Sequence, residues 1–485
     1  MPHMHQSPRH LRTFLLLFLV TATAAGCARN PVTGQLQVAL MTEAQEIQMG
    51  GTAAVEVERT IGLVDDPALQ AYIQELGERM AQESERPALP WTFGVVDDPT
   101  PNAFALPGGY IYFTRGMMSL MSSEAQLATV LGHEIGHVTA RHHVTRMSRA
   151  QLAQLGLGLG TVLFPELETL GAFAGAGFQL LFLQHSRSAE RQADDLGFRY
   201  ALEQGYDVRE MANVFAALAR LGEEQQSPLP SWLMTHPAPE DRITVIEERI
   251  AELEVSPATM RRGRPDYLAR IDGLVYGTNP RNGFFRDALF LHPDLRFQLT
   301  FPSGWRTQNM AQAVIAGSPQ QDAAMQLTLA GEATPEEAAT RFFRQEGVRA
   351  GQSARRTING LPALLVGFEA RAGEVPVRGI AAFISYRERI YQILTYSAAP
   401  TFARYEPIFS RSIGSFAPLT DPEVLGVQPN RLRIVRVPEA MTLADFNRRF
   451  PSIIPIAELA LINQVAGPEE VLPAGFQAKR VVGGS

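Results

Sequence analysis

The stretch His133-Glu134-Ile135-Gly136-His137 is the most informative part of this 485-residue chain. On a helix, His133 and His137 lie about 40° apart around the axis, on one face and one turn from each other. Two imidazoles in that arrangement can bind one Zn²⁺ at about 2.0 Å each. The carboxylate of Glu134 projects beside them, where it can take a proton from metal-bound water. The pattern predicts a metal centre on a helix, with Glu134 as catalytic base.

A third metal ligand has two candidates. His143 stands where the pattern H-E-x-x-H-x-x-G-x-x-H places its last histidine, but Ala140 replaces the glycine that turns the chain. On an uninterrupted helix His143 would point about 120° away from His137. We therefore interpret His142 and His143 as helix-end or surface residues. Glu190 is the preferred third ligand, because it completes a set of two histidines and one glutamate that leaves the fourth position to water.

Asp194 follows Glu190 by four residues in Ser186-Arg-Ser-Ala-Glu190-Arg-Gln-Ala-Asp194, so both carboxylates share one helical face. Asp194 can accept the spare ring N–H of a zinc-binding histidine and fix its tautomer. Taken alone, Glu190 would be interpreted as a solvated helix charge. The upstream histidine pair favours the ligand role.

Together, His133-Glu-x-x-His137 and Glu190-x-x-Ala-Asp194 resemble the zinc metallopeptidase (gluzincin) family of HtpX, the CAAX prenyl proteases and BepA-like periplasmic proteases. Further matches are Asn30-Pro-Val-Thr-Gly34, Asn102-Ala-Phe-Ala-Leu-Pro-Gly-Gly109 and His236-Pro237 followed by Arg242. The resemblance covers about residues 28 to 255. It implies an endopeptidase with one Zn²⁺ per chain and a mostly helical fold, in which a small sheet lines the cleft.

The resemblance also bears on two residues downstream. In BepA-like members a histidine matching His236 can occupy the open zinc position and hold the enzyme latent; helix capping before a proline turn is the alternative. Arg242 either binds a substrate carbonyl or developing oxyanion, or pairs with an acid such as Glu240.

The N-terminus reads as an export signal over residues 1–27. Two arginines precede a short apolar run, which ends in Ala24-Ala25-Gly26-Cys27 and resembles a lipobox. Cys27, the single cysteine, would then be the acylated first residue, and Ala28 is similar to lipoproteins sent to the outer membrane. Cleavage by ordinary signal peptidase, which gives a soluble secreted protein, is the alternative. We expect a periplasmic, outer-membrane-anchored lipoprotein that contacts the membrane through Cys27.

Two further modules are expected. After a linker at 256–287, residues 288–418 read as short strands around one helix and resemble the PsbP/DcrB-type sandwich. After a second linker at 419–430, residues 431–482 resemble a degenerate LysM module, for which peptidoglycan contact is a hypothesis. The predicted fold class is multidomain: a mainly α-helical zincin peptidase domain with a small β-sheet over 28–255, then an α+β sandwich and a small LysM-like α/β module.

Composition narrows the function. A net charge of −7 argues against nucleic-acid binding. All basic residues are arginine except Lys479, which suggests no function by itself. The apolar stretch 152–183 is split by acidic residues and Pro165, and is interpreted as a buried or membrane-facing helical hairpin.

The predicted function is an exported zinc metalloendopeptidase that hydrolyses peptide bonds of unfolded or misassembled proteins by metal-activated water, in periplasmic or outer-membrane quality control. The edge strand expected around 103–106 would pair with an extended substrate. A latent metal-holding chaperone of outer-membrane assembly and a cell-wall amidase are the alternatives.

Overall fold

The computed structural model describes residues 27–156, 184–224, 232, 235–236, 239–254, 259–331, 334–372 and 375–484. The export signal before Cys27 and nearly all of the apolar stretch 152–183 lie outside these described residues. No helix in the described part of the chain combines the length and the apolar character that a bilayer crossing requires.

The chain forms two compact units. The first contains the chain up to Glu58, Leu63–Leu274 and Leu432–Val481. The second contains Val275–Arg431 and two short segments, one of them Arg59–Gly62. Residues Leu432–Val481, nearly all of the C-terminal module predicted over 431–482, thus belong to the same compact unit as the predicted metal helix.

The first unit is mainly helical. Its nine described helices before the C-terminal module are α1 (Glu43–Thr60), α2 (Pro67–Gln82), α3 (Arg115–Leu120), α4 (Glu124–Thr139), α5 (His142–Gly156), α6 (Arg187–Glu203), α7 (Arg209–Glu224), α8 (Pro239–Ala251) and α9 (Arg264–Ile271). Its strands are β1 (Cys27–Arg29), β2 (Leu36–Val38), β3 (Thr92–Val96), β4 (Ala103–Leu106) and β5 (Tyr110–Thr114).

A small sheet of β3, β5 and β4, in that order, accompanies these helices. Strand β3 runs parallel to β5 and β4 runs antiparallel to it. Strand β4 is therefore an outer strand of this sheet within the described residues. It packs against α4, which places an edge strand beside the helix predicted to carry the metal.

Helices α4 and α6 pack closely against each other. Helix α4 starts at Ser123, whose side chain accepts the N–H of Gln126. A Cβ atom on Gly197 would lie 2.7 Å from the backbone nitrogen of His133, and one on Gly132 would lie 3.0 Å from the Cα of Gly197. Because neither glycine has a side chain, the two backbones are in direct contact here. This contact brings the residues of α6 close to those of α4.

The predicted linker at 256–287 contains helix α9. Tyr267, Leu268 and Ile271 are fully buried, because they form the apolar face of this short helix. The first compact unit includes this helix and continues to Leu274.

In the C-terminal module two helices lie between two pairs of strands, whereas the expected order had one strand on each side. Its elements are β17 (Arg431–Arg436), β18 (Met441–Thr442), α13 (Leu443–Arg449), α14 (Ile456–Asn463), β19 (Val471–Leu472) and β20 (Gln477–Val482). Strand β17 pairs with β20, and β18 pairs with β19. Its identity as a LysM module stays a prediction.

The second unit is rich in sheet. The strands are β6 (Phe284–Arg286), β7 (Leu289–His292), β8 (Phe297–Thr300), β9 (Arg306–Asn309), β10 (Ala313–Gly317), β11 (Ala323–Leu329), β12 (Arg349–Ile358), β13 (Leu361–Ala372), β14 (Val375–Tyr386), β15 (Arg389–Ala398) and β16 (Ala417–Pro418). A seven-stranded sheet has the order β12-β13-β14-β15-β11-β10-β9, and a four-stranded sheet has the order β16-β8-β7-β6. The helices are α10 (Pro335–Phe343), α11 (Phe402–Gly414) and α12 (Pro422–Gly426). The expected change from a helical to a sheet-rich region is confirmed.

Candidate metal centre

Four buried side chains bring potential metal ligands together: His133, His137, Glu190 and His236. Their ligand atoms all lie within 4.8 Å of one another. The Nε2 atoms of His133 and His137 are 3.0 Å apart, and Nε2 of His137 is 3.5 Å from Oε1 of Glu190. Two ligands at about 2.0 Å from a tetrahedral Zn²⁺ are about 3.3 Å apart. The donor set and its spacing therefore fit zinc.

Local helix structure places three of these groups. One turn of α4 separates His133 from His137, so both imidazoles leave the same face. Helix α6 starts after Ser186, whose hydroxyl accepts the N–H of Ala189. This cap sets the first turn of α6, which carries Glu190. The contact between α4 and α6 then brings the carboxylate to the two imidazoles.

The carboxylate of Glu190 is held in its charged form. Burial raises its pKa, but the imidazole of His236, the guanidinium of Arg242 and His133 lower it by more, and the net direction is downward. Glu190 is only 1% exposed. A buried carboxylate that stays ionised offers a negative ligand to a cation without first losing a proton.

Asp194 lies behind His133 and contacts its second ring nitrogen. Oδ1 of Asp194 is 2.9 Å from Nδ1 of His133. Burial raises the pKa of Asp194, whereas the Arg242 guanidinium and hydrogen bonds from His133 and Arg242 lower it to about 2. An ionised Asp194 can only accept, so Nδ1 of His133 carries the proton and Nε2 faces the other ligands with its lone pair.

Arg242 pairs with two acids of the site. Its Nε and Nη2 atoms donate to the two carboxylate oxygens of Asp194 at 2.7 and 2.6 Å. Its Nη1 lies 3.0 Å from Oε2 of Glu190. The guanidinium also lies over the rings of Phe215 and Trp232, at 4.3 and 5.0 Å from their centroids. Of the two expected roles, this geometry matches pairing with an acid, and the acids are Asp194 and Glu190.

His236 lies between the ligand set and the catalytic carboxylate. Its Nδ1 is 3.3 Å from Nε2 of His133 and 3.1 Å from Oε1 of Glu190. Its Nε2 is 3.5 Å from Oε1 of Glu134, and its ring stacks on Trp232 with centroids 4.8 Å apart. Burial lowers the pKa of His236, but the carboxylates of Glu190 and Glu134 raise it by more.

Glu134 is buried beside the cluster and is 1% exposed. Within the described residues its Oε1 atom makes no hydrogen bond, and Nε2 of His236 is a near neighbour at 3.5 Å. A buried carboxylate oxygen without a hydrogen bond costs free energy, and a group of this kind is often kept because it has a function. The position next to the ligand set is where a general base is needed.

We predicted His142 and His143 to be helix-end or surface residues. The surface part of this prediction is wrong. Helix α4 does end at Thr139, and Arg141 turns the chain with a φ of 58°. His142 then starts α5, and both histidines are buried. The turn was not predicted because a left-handed arginine is uncommon.

His142 supports a ligand from behind. Its Nδ1 lies 3.0 Å from Nδ1 of His137, and its Nε2 lies 3.0 Å from Oε1 of Gln192. Burial lowers the pKa of His142 to about 4, so its ring is neutral at neutral pH. A neutral ring can share one proton with Nδ1 of His137 and leave Nε2 free for the metal.

His185 was not recognised from the sequence. Its ring centroid lies 3.9 Å from that of His137, and its ring also stacks near His236 at 5.5 Å. Burial lowers its pKa. An isolated histidine between an apolar stretch and a helix carries no spacing signal, so only the fold shows that it packs on a candidate ligand.

A cavity of about 350 Å³ opens in the groove between α6 and α8. It reaches Glu190, Asp194 and Arg242 from outside, and Phe198 and Ile246 supply part of its apolar wall. The acid side of the centre is therefore adjacent to open space, although the side chains themselves are buried.

Two histidines one helical turn apart, a distant glutamate and an adjacent second glutamate define the class of zinc metallopeptidase centres. Residues 67–250 match Peptidase family M48, and this part of the chain is a domain of that family. The family resemblance expected from the sequence is thereby confirmed.

Among curated proteins, the chain is similar to the beta-barrel assembly-enhancing protease of Yersinia pestis, with 30% identity over 51% of this chain and 52% of that protein. It is also similar to the mitochondrial metalloendopeptidase OMA1 of Arabidopsis thaliana, with 32% identity over 38% of this chain and 37% of that protein. The chain thus spans about half the length of these relatives, or less.

Among solved structures, the chain is similar to cyanobacterial PsbP from Synechocystis, with a TM-score of 0.24 and 12% identity over 28% of this chain and 94% of that one. A similarity of this size assigns no function. The PsbP/DcrB-type character of residues 288–418 stays a prediction.

Proposed function

We propose that this protein is an exported zinc-dependent endopeptidase that acts in protein quality control of the bacterial envelope. The observation that carries the proposal is the convergence of His133, His137 and Glu190 with Glu134 beside them, inside a domain of Peptidase family M48. The envelope role rests on the predicted export signal and on the similarity to a beta-barrel assembly-enhancing protease.

Zinc would be held by His133, His137 and Glu190, where it would polarise a substrate carbonyl and lower the pKa of a water ligand towards about 7. Oε1 of Glu134 takes a proton from the attacking water and returns it to the leaving amine. Asp194 holds the ring of His133 in one tautomer. Arg242 holds Asp194 and balances the negative charge of Glu190.

His236 would keep this enzyme latent. Its Nδ1 is within 3.3 Å of two groups of the ligand set, so it stands at the position that an attacking water would otherwise occupy. Its Nε2 faces Glu134, which engages the base as well. Displacement of one side chain would therefore free both a coordination position and the general base.

The substrate class is extended, unfolded or misassembled polypeptide. Strand β4, Ala103–Leu106, is an outer strand of the small sheet and packs on α4. An extended chain that pairs with such a strand is bound by its backbone, with little demand on its sequence. This matches an enzyme that removes misassembled proteins of many sequences.

The proposed location and partners rest on Cys27 and on the C-terminal module, residues 431–482. Acylation of Cys27 would anchor the protein in the outer membrane on the periplasmic side. Strand β1 starts at this residue, so the folded unit would lie directly at its anchor. Contact of residues 431–482 with peptidoglycan is the further partner that we propose.

The test combines metal analysis with proteolysis of an unfolded protein such as casein. The full chain should bind one zinc ion and cleave casein slowly, because His236 is expected to hold it latent. Glu134→Gln should bind zinc equally and lose activity by about 10²- to 10⁴-fold. Glu203→Gln, an exposed position on α6, is the matched control and should keep full activity. Retained cleavage in Glu134→Gln would refute the scheme.

A second function is favoured by the closed arrangement of His236. A protein whose fourth position is always occupied would hold metal without hydrolysis and act as a chaperone of outer-membrane assembly. This candidate predicts that no substitution of His236 produces cleavage, whereas a latent protease predicts a gain.

A further inference from the structure

The only lysine of the chain, Lys479, is fully buried in strand β20 of the C-terminal module. Its Nζ donates to three backbone carbonyls, at 2.8 Å to Ser119, 3.1 Å to Leu120 and 2.6 Å to Met121. Burial lowers the pKa of Lys479, but three carbonyls that converge on Nζ can each accept a hydrogen bond only from an ammonium, which has three N–H donors on one small atom. All three donors are therefore used in one place.

These three carbonyls belong to the end of helix α3. The last carbonyls of a helix have no partner within it, and the negative end of its dipole favours a cation. The next residues, Ser122 and Ser123, lead directly into helix α4, and Ser123 is its N-cap. Lys479 thus binds the turn between α3 and α4, from which the helix of His133 and His137 starts.

A second side chain of the module binds the same turn between α3 and α4. Nε2 of Gln464 donates to the carbonyl of Leu120 at 3.0 Å. Its amide also exchanges hydrogen bonds with Gln126, in the first turn of α4, at 2.6 and 2.9 Å. Gln126 in turn accepts the backbone N–H of Ser122 at 2.6 Å and donates to Glu210 of α7 at 2.8 Å.

Within the module, Asn463 fixes the strand that carries the lysine. Its amide nitrogen donates to the carbonyl of Lys479 at 2.9 Å, and its Oδ1 accepts the N–H of Lys479 at 2.7 Å. Asn463 is 2% exposed. Buried polar groups that lose such partners are costly to leave unpaired, so the contact is built to remain closed.

The residue type matters at this position. Forty-two of the 43 basic residues are arginine, yet the one that faces three converging carbonyls is lysine. A guanidinium is a wide planar fork suited to carboxylates, whereas an ammonium is a compact point charge with rotatable donors. The cluster of Ser119, Leu120 and Met121 carbonyls fits the ammonium.

We infer that residues 432–481 form a clamp on the peptidase helices, and that Lys479 is its positioning residue, which sets the start of α4 and through it the imidazoles of His133 and His137. The clamp is an integral wall of the first unit, not an appended module. This inference deepens the proposed peptidase function, but its first test does not depend on activity.

The first test uses the single lysine as a label. The full chain is treated with an amine-reactive acylating reagent in native buffer and in urea, and the modification of Lys479 is followed by mass spectrometry. The clamp predicts that native Lys479 reacts on the order of 100-fold more slowly than in the unfolded chain. Reaction at the unfolded rate in native buffer would overturn the inference.

The second test separates positioning from mere stability. Lys479→Met and Gln464→Gly are compared with Arg480→Met, whose guanidinium contacts only Pro451 of the module among its described hydrogen bonds. Well below each unfolding temperature, the two clamp variants should lose about tenfold in kcat with little change in KM. Their Co²⁺-loaded forms should show altered visible spectra, because the ligand geometry changes.

Arg480→Met should match the parent chain in all these measurements. A parent-like kcat and Co²⁺ spectrum in both clamp variants would assign Lys479 a structural role only and overturn its positioning role. If neither the parent chain nor its His236→Ala variant cleaves casein, the proposed function fails, while labelling and the Co²⁺ spectra still decide the clamp.

Discussion

Nδ1 of His236 lies 3.3 Å from Nε2 of His133. The two histidines are 103 residues apart in the sequence, and His133 is the first histidine of the metal motif. A histidine at this distance from one ligand, and 3.1 Å from another, Glu190, completes a four-group set. His236 therefore lies among the potential metal ligands.

Replacing His236 by alanine should open the centre. The change removes an imidazole from the fourth position and from Glu134, so casein cleavage should rise at least about tenfold, which corresponds to ~1.4 kcal/mol in barrier height. The measurement is initial cleavage rate at equal zinc content. His292→Ala in the second unit is the control and should leave the rate unchanged. A fall to the level of Glu134→Gln would instead place His236 in the chemistry itself.

The contact between Asp194 and His133 should control metal affinity. Asp194→Ala removes the acceptor that orients the ring of His133 and leaves Arg242 without its main partner. We expect zinc affinity to fall about 10- to 100-fold, as measured by competition with a chromophoric chelator. Asp195→Ala is the matched control, since its half-exposed carboxylate pairs with Arg249 at the surface. Equal affinities in the two variants would exclude the orienting role.

The sequence predicts those parts of the centre that depend on local geometry. His133 and His137 are one turn apart, and Glu190 and Asp194 are also one turn apart, so helix periodicity alone places each pair on one face. Their meeting depends on the α4–α6 contact, which only the family resemblance suggested.

Other contacts could not be predicted from the sequence, because they join distant segments and no residue spacing indicates them. His185 packs on His137 across a change of element. Lys479 contacts carbonyls about 360 positions away, and backbone carbonyls leave no trace in residue identity. The surface interpretation of His142 failed because Arg141 adopts a left-handed turn.

In the second unit, His292 should titrate far below the usual range. Burial lowers its pKa to about 4, and its Nδ1 accepts the N–H of Leu295 at 3.2 Å. Between about pH 6.5 and 4 the unfolded chain then binds more protons at this site than the folded chain. Its contribution to stability is therefore complete above pH 6.5 and is lost as the pH falls towards 4.

Two measurements check this prediction. His292→Gln identifies the His292 ring signal by its loss from the NMR spectrum of the chain's ten histidines, and that signal should titrate near pH 4. In urea unfolding, the variant should lose less stability than the parent between pH 6.5 and 4. A midpoint near 6.5 would contradict the prediction.

Finally, the backbone contact between α4 and α6 should tolerate no added carbon. In Gly197→Ala the new Cβ would lie 2.7 Å from the backbone nitrogen of His133 and 3.0 Å from the carbonyl oxygen of Thr129. The helices must separate, at a cost of about 1–3 kcal/mol in unfolding free energy, and Glu190 moves away from the imidazoles. The unfolding free energy measured in urea and the zinc content should both fall. Gly414→Ala on α11, where nothing lies within 4 Å, should change neither or add slightly to stability. Parent-like zinc content in Gly197→Ala would mean that Glu190 does not depend on this contact.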